Sequence, residues 1–117
     1  MGTFTYGGSR MQFDDRLLAH LQVVIIQRFR RSEGFAMSWV RSVAIGSGRS
    51  TVWLSPSVPV VFDFEGSRAP SINPEWLRRL TDAASSGTGL IVTNEDGTLA
   101  QEGLLGGPKT ARLPATA

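Results

Sequence analysis

The stretch Thr3-Phe4-Thr5-Tyr6-Gly7-Gly8-Ser9-Arg10-Met11-Gln12-Phe13 reads as a β-hairpin. Paired glycines supply the positive φ that a two-residue hairpin turn needs. Placing Tyr6 opposite Ser9 sets Phe4 opposite Met11. Phe4, Tyr6, Met11 and Phe13 then share one side, while Thr5, Arg10 and Gln12 share the other.

Asp14 or Asp15 follows as an N-cap favoured by the helix dipole, and a helix runs from there to about Arg31. On a helical wheel Leu17, Leu18, Leu21, Val24, Ile25 and Phe29 form a broad core face, and Ala19, Val23 and Ile26 form a second stripe nearly opposite. A narrow polar wedge of His20, Gln27 and Arg31 remains. A surface helix normally carries one apolar stripe, so two stripes place this helix inside the domain or beneath a partner subunit.

Beyond Ser32-Glu33-Gly34, Phe35, Met37 and Trp39 alternate with Ala36, Ser38 and Val40 as in a strand. Gly46-Ser47-Gly48 is a turn, and Ser50-Thr51-Val52-Trp53-Leu54 is the returning strand. Ser55-Pro56-Ser57-Val58-Pro59 interrupts, since proline cannot donate to a ladder, and Val60-Val61-Phe62-Asp63-Phe64 is a further strand. Asn73-Pro74 opens a second helix, with the asparagine as N-cap and the proline in the first turn. Trp76, Leu77, Leu80, Ala83 and Ala84 face inward, and Arg78, Arg79 and Asp82 face water. After Ser85-Ser86-Gly87, Gly89-Leu90-Ile91-Val92-Thr93 is a last buried strand. From about Asn94 onward Gly, Pro, Ala and Thr dominate without periodicity, which predicts a single α+β domain over residues 1–93 and a disordered C-terminal tail over 94–117. The order ββαβββαβ divides into two ββαβ halves, each a hairpin, a helix and a strand. It implies a two-layer sandwich of two helices on a mostly antiparallel sheet of about six strands. Trp39, Trp53 and the N-terminal aromatics cannot all lie beneath two helices, so part of the sheet faces a partner or forms a binding platform.

At 117 residues the chain has the size of one domain that buries a core without staples. With no cysteine, disulfide frameworks, thiolate zinc sites and cysteine nucleophiles are excluded. The first residues lack the plan of a signal peptide and no apolar run reaches membrane-spanning length, which predicts a cytoplasmic protein with no membrane partner. The net charge is +2, and of the 12 basic residues only Lys109 is a lysine. So small an excess gives little attraction for phosphate.

Four constellations bear on chemistry. Gly103-Leu104-Leu105-Gly106-Gly107-Pro108-Lys109-Thr110 approaches the phosphate-cradling G-x-x-x-x-G-K-[ST] loop, but Pro108 removes the second glycine and a backbone N–H, so it reads as tail. His20, the one histidine, has no carboxylate three or four residues away, so it reads as a solvated helix residue and no metal site is expected. Asp63 and Glu65 share the strand face opposite Phe62 and Phe64, the pattern of a solvent-facing edge. Arg41 and Arg49 flank the 46–48 turn near Trp39 and Trp53. Exposed, these four would stack and neutralise single-stranded nucleic acid; the alternative makes the tryptophans core and the arginines solubilising.

The segments Asp14-Asp15-Arg16-Leu17-Leu18-Ala19-His20-Leu21, Phe35-Ala36-Met37-Ser38-Trp39, Gly46-Ser47-Gly48-Arg49-Ser50-Thr51-Val52-Trp53-Leu54 and Pro56-Ser57-Val58-Pro59 resemble a family of short uncharacterised actinobacterial proteins often labelled ATP-dependent DNA ligase. The likeness spans about residues 1–93, and G-S-G-R-S-T-x-W-L is its most specific part. The label implies adenylation of a lysine in a K-x-D-G motif. No such motif is present: Asn94-Glu95-Asp96-Gly97 holds the D-G pair without a lysine, and Lys109 precedes Thr110-Ala111-Arg112. The resemblance therefore implies an accessory or DNA-binding module rather than the ligase reaction. From the residues, the expected function is a non-catalytic, cofactor-free interaction domain. It self-associates as a homo-oligomer through Ala19, Val23 and Ile26 or the aromatic sheet face. The alternative is a nucleic-acid-binding module using Arg41, Arg49, Trp39 and Trp53.

Overall fold

A computed structural model describes residues 1–42 and 46–103. The hairpin forms from β1 (Gly2–Tyr6) and β2 (Ser9–Phe13), with Tyr6 paired to Ser9 and Phe4 to Met11. Gly7 takes φ 58°, the left-handed value its turn requires. Asp14 caps α1 (Asp15–Arg30) by accepting from the Arg16 N–H at 3.1 Å. Leu17, Leu18, Leu21, Val24 and Ile25 are buried, as the wheel places them, and Phe29 packs at the margin of the core.

Next come β3 (Phe35–Arg41), β4 (Arg49–Leu54) and β5 (Val60–Asp63). α2 (Pro74–Ala84) starts at Asn73, whose Oδ1 accepts from the N–H groups of Glu75 and Trp76. β6 (Leu90–Ile91) and β7 (Gln101–Glu102) complete the fold. The α+β class and the order ββαβββαβ hold, with β7 as a seventh strand.

The strands form two sheets. One has the order β2-β1-β5; the other has β4-β3-β6, with β7 beside the far end of β3. The expected second hairpin does not form, because β4 pairs with β3 while β5 crosses to pair with β1. The proline-bearing link at 55–59 makes that crossing, and the Tyr6 hydroxyl accepts from the Ser55 N–H at 2.8 Å. Pairing is antiparallel except where β6 and β7 run parallel to β3. The helices also run side by side in one direction: Arg16 and His20 lie at the start of α2, and Arg28 donates to Ser85 at its end. α1–β3 and α2–β6 are thus two parallel helix–strand units, although the segments before them pair differently.

Residues 94–103 are not the start of a loose tail. Asn94 and Thr98 close a tight turn, Ala100 is fully buried, and the Gly103 N–H donates to Gln12 O at 2.8 Å, tying β7 to the first sheet. The core is one cluster fed by both sheets and both helices, including Phe4, Phe13, Leu18, Met37, Leu80 and Leu90.

Candidate functional site

Strand register sorts the second sheet into two faces, since paired residues share a side. Trp39 pairs with Ser50, Met37 with Val52 and Phe35 with Leu54; this side carries the buried residues beneath the helices. The opposite, outer side carries Arg49, Thr51 and Trp53 on β4, Ala36, Ser38 and Val40 on β3, and Ile91 on β6. Thr93 bridges to Leu99 and extends the same side. Trp53 is 64% exposed, Leu99 54% and Ile91 43%. Between them lies a trough of small residues in which the Ser38 and Thr51 hydroxyls meet at 2.8 Å. Trp53 is held against the backbone of Gly34, where a Cβ would come within 3.1 Å of indole Cζ2 and 2.9 Å of Leu54 O.

The four residues expected to act together on nucleic acid divide between these faces. Trp39 is buried, edge-on to Phe13 with ring centroids 5.7 Å apart, and its Nε1–H donates to Glu102 Oε1 at 2.8 Å. Arg41 is on the same inner side, donating from Nε to Ser47 O at 2.9 Å and from Nη1 to Ser50 Oγ at 3.3 Å. Arg49 and Trp53 share the outer side.

The second stripe of α1 is also divided. Ala19 is buried beside the loop at 64–70, Val23 is half-buried, and Ile26 is 41% exposed. The two carboxylates of the β5 region are exposed; Glu65 ion-pairs with the terminal amino group, and Asp63 ends the edge strand. The Gly103–Thr110 stretch lies outside the described residues beyond Gly103.

His20 is not solvated: it is fully buried. Its Nδ1 lies 2.7 Å from Arg16 O, its Nε2 accepts from the Asn73 N–H at 2.9 Å, and its ring stacks at 4.2 Å on Trp76. Those partners assign the proton to Nδ1 and make the ring a neutral link between the helices. The wheel placed His20 in a polar wedge because it counts only the helix's own residues; α2 and its cap cover that wedge.

Two acidic sites were missed in the sequence. Glu95 accepts from Arg16 Nη2 at 2.8 Å and Asn73 Nδ2 at 2.7 Å, and these bonds hold its carboxyl below the usual range. Glu102 is 9% exposed; burial pushes its carboxyl up, opposed by the Trp39 hydrogen bond and by Arg41. Its signal was the alternation Ala100 in, Gln101 out, Glu102 in, which a charged residue disguises. The D-G pair at Asp96-Gly97 has a structural use, since Asp96 Oδ1 accepts from the Thr98 N–H and hydroxyl.

Among the described residues no helix is long and apolar enough to cross a membrane, and no three metal-ligating side chains come together. Neither the curated proteins nor the solved structures contain a match to this chain. A family model does match over residues 1–95, and the chain belongs to that family, DUF7882, a domain of unknown function.

Proposed function

We propose that this is a non-catalytic, cytoplasmic interaction domain that self-associates through the outer face of the second sheet. One observation carries the reading: Trp53, Ile91 and Leu99 stand exposed on a single sheet face while both helices occupy the other. The arrangement suits a second copy of the chain. Trp53 rises at one edge, Ile91 and Leu99 at the other, with Ala36 and Ser38 low between them. A twofold rotation therefore sets each Trp53 against the partner's aliphatic edge. Covering such side chains is worth about 1.5–3 kcal/mol each, and a buried tryptophan at the centre of an interface is a frequent anchor. Sedimentation equilibrium at tens of micromolar tests it. The expected result is a dimer that Trp53→Ser and Ile91→Asp convert to a folded monomer. A monomeric native chain would overturn the reading.

A second reading is favoured by Arg49 and Trp53 sharing that face, a cation beside a stacking surface. The likeness to actinobacterial chains labelled as DNA ligases accords with an accessory module that holds single-stranded DNA. Affinity should then fall with salt and weaken on Arg49→Ala but not on Arg41→Ala. Binding indifferent to salt would count against it.

A further inference from the structure

A cleft of about 440 Å³ opens on the other side of the second sheet, between β2 and β4. Trp39, Arg41 and Glu102 lie in its lining with Met11 and Val52, and Arg10 joins them from the exposed start of β2. Glu102 is the unexplained member. Its one side-chain hydrogen bond among the described residues is from the Trp39 indole, which a neutral amide would accept as well. A carboxylate is instead buried there, and burying a charge without a full set of partners is unfavourable. Arg41, the guanidinium whose charge acts on it, donates its own hydrogen bonds to Ser47 and Ser50. The cleft thus offers in one lining a buried acidic group, the guanidinium groups of Arg41 and Arg10, and the apolar side chains of Met11, Trp39 and Val52. Charge complementarity requires a ligand with a cationic nitrogen and an anion a few bonds apart, joined to an apolar group.

We propose that this cleft binds a small zwitterion of the α-amino-acid class. The ammonium meets Glu102, the carboxylate meets Arg10 and Arg41, and an aliphatic side chain lies against Met11, Val52 and the Trp39 ring. The site is independent of self-association, because Trp53, Ile91 and Leu99 lie on the opposite side of the sheet.

The test is a titration of the full ¹⁵N-labelled chain with L-leucine, isoamylamine and 4-methylpentanoate, following the Trp39 indole N–H with Trp53 as internal control. L-Leucine should shift Trp39 and not Trp53, with affinity at least about tenfold above either singly charged analogue. Glu102→Gln, which keeps an acceptor for the indole, should stay folded and lose the response. Arg10→Gln, at an exposed position on an edge strand, should weaken it. No Trp39 shift by about 10 mM L-leucine, which excludes a dissociation constant of about 1 mM or tighter, would overturn the proposal. So would equal binding by isoamylamine, or undiminished binding by folded Glu102→Gln.

Discussion

At the residue scale, two buried polar side chains, His20 and Glu102, act in opposite senses. His20 uses both ring nitrogens on backbone groups, Arg16 O and Asn73 N–H. His20→Ala leaves the Asn73 N–H without a partner, removes the ring's added bond to the helix carbonyl of Arg16 and opens a void beside Trp76, so it should lower the unfolding free energy by about 2–4 kcal/mol. Urea denaturation checks this; a loss below about 0.5 kcal/mol, the size of an ordinary surface substitution, would mean the link is dispensable. Glu102 has its folded-state carboxyl raised by burial. Its stabilising contribution is therefore present at acid pH and lost as pH rises through that raised value. Glu95 and Asp96, both held low, work the other way, with a contribution lost as pH falls. They are unchanged in Glu102→Gln, so the comparison isolates Glu102. The variant should gain stability over the native chain as pH rises from the acid range to neutrality. Urea melts across that interval showing a widening advantage for the native chain would contradict the assignment.

At the element scale, what was legible in the sequence was what is locally encoded. Gly7-Gly8 gave away the first hairpin and its register, and Asn73-Pro74 marked the start of α2 to the residue. Those signals act within a few positions of the backbone they shape. The partition of β4 and β5 between two sheets was not legible, because alternation shows that a strand has an inward face without showing which neighbour shares its edge. The same gap hid the split of Trp39 from Trp53, which rests on β4 pairing with β3. One junction is set by close approach. Gly89, between α2 and β6, has φ 80°, and a Cβ there would lie 2.7 Å from Ala36 O. Gly89→Ala should cost more than about 2 kcal/mol, combining backbone strain with that clash. Gly87→Ala two residues earlier has open space around it. It should be neutral or slightly stabilising, and equal thermal midpoints for the two variants would refute the contrast.

At the scale of the whole molecule, the boundary expected after residue 93 falls short of the described fold, for a compositional reason. Asn94–Gly103 reads as polar and glycine-bearing, yet its turn returns Ala100 into the core. The Val40 N–H donates to Ala100 O at 3.1 Å, the Ala100 N–H to Val92 O at 3.0 Å, and the Gly103 N–H to Gln12 O at 2.8 Å. At about 1 kcal/mol for each such bond, a chain ending at Thr93 should lose about 3 kcal/mol or more. A chain ending at Gly103 keeps all three bonds and is the reference for that loss. Equal midpoints for the two truncated chains would show that the return segment contributes nothing. Of the candidate sites, the outer sheet face was foreseeable in part, because the tryptophans outnumber what two helices can cover. The Glu102 cleft was not, since it joins β2, β3, β4 and β7 and no spacing in the chain announces it.

The Gln12–Gly103 bridge joins residues 91 positions apart, near opposite ends of the described fold. During synthesis the hairpin and α1 leave the ribosome early, whereas the segment that ties them to the second sheet leaves about 70 residues after α1. Until then the buried side of β3 lacks Ala100 and Glu102, and Trp39 has no acceptor for its indole proton. The nascent domain therefore completes its core only once residues 100–103 have emerged, and folding intermediates stalled before residue 100 would present Trp39 to chaperones.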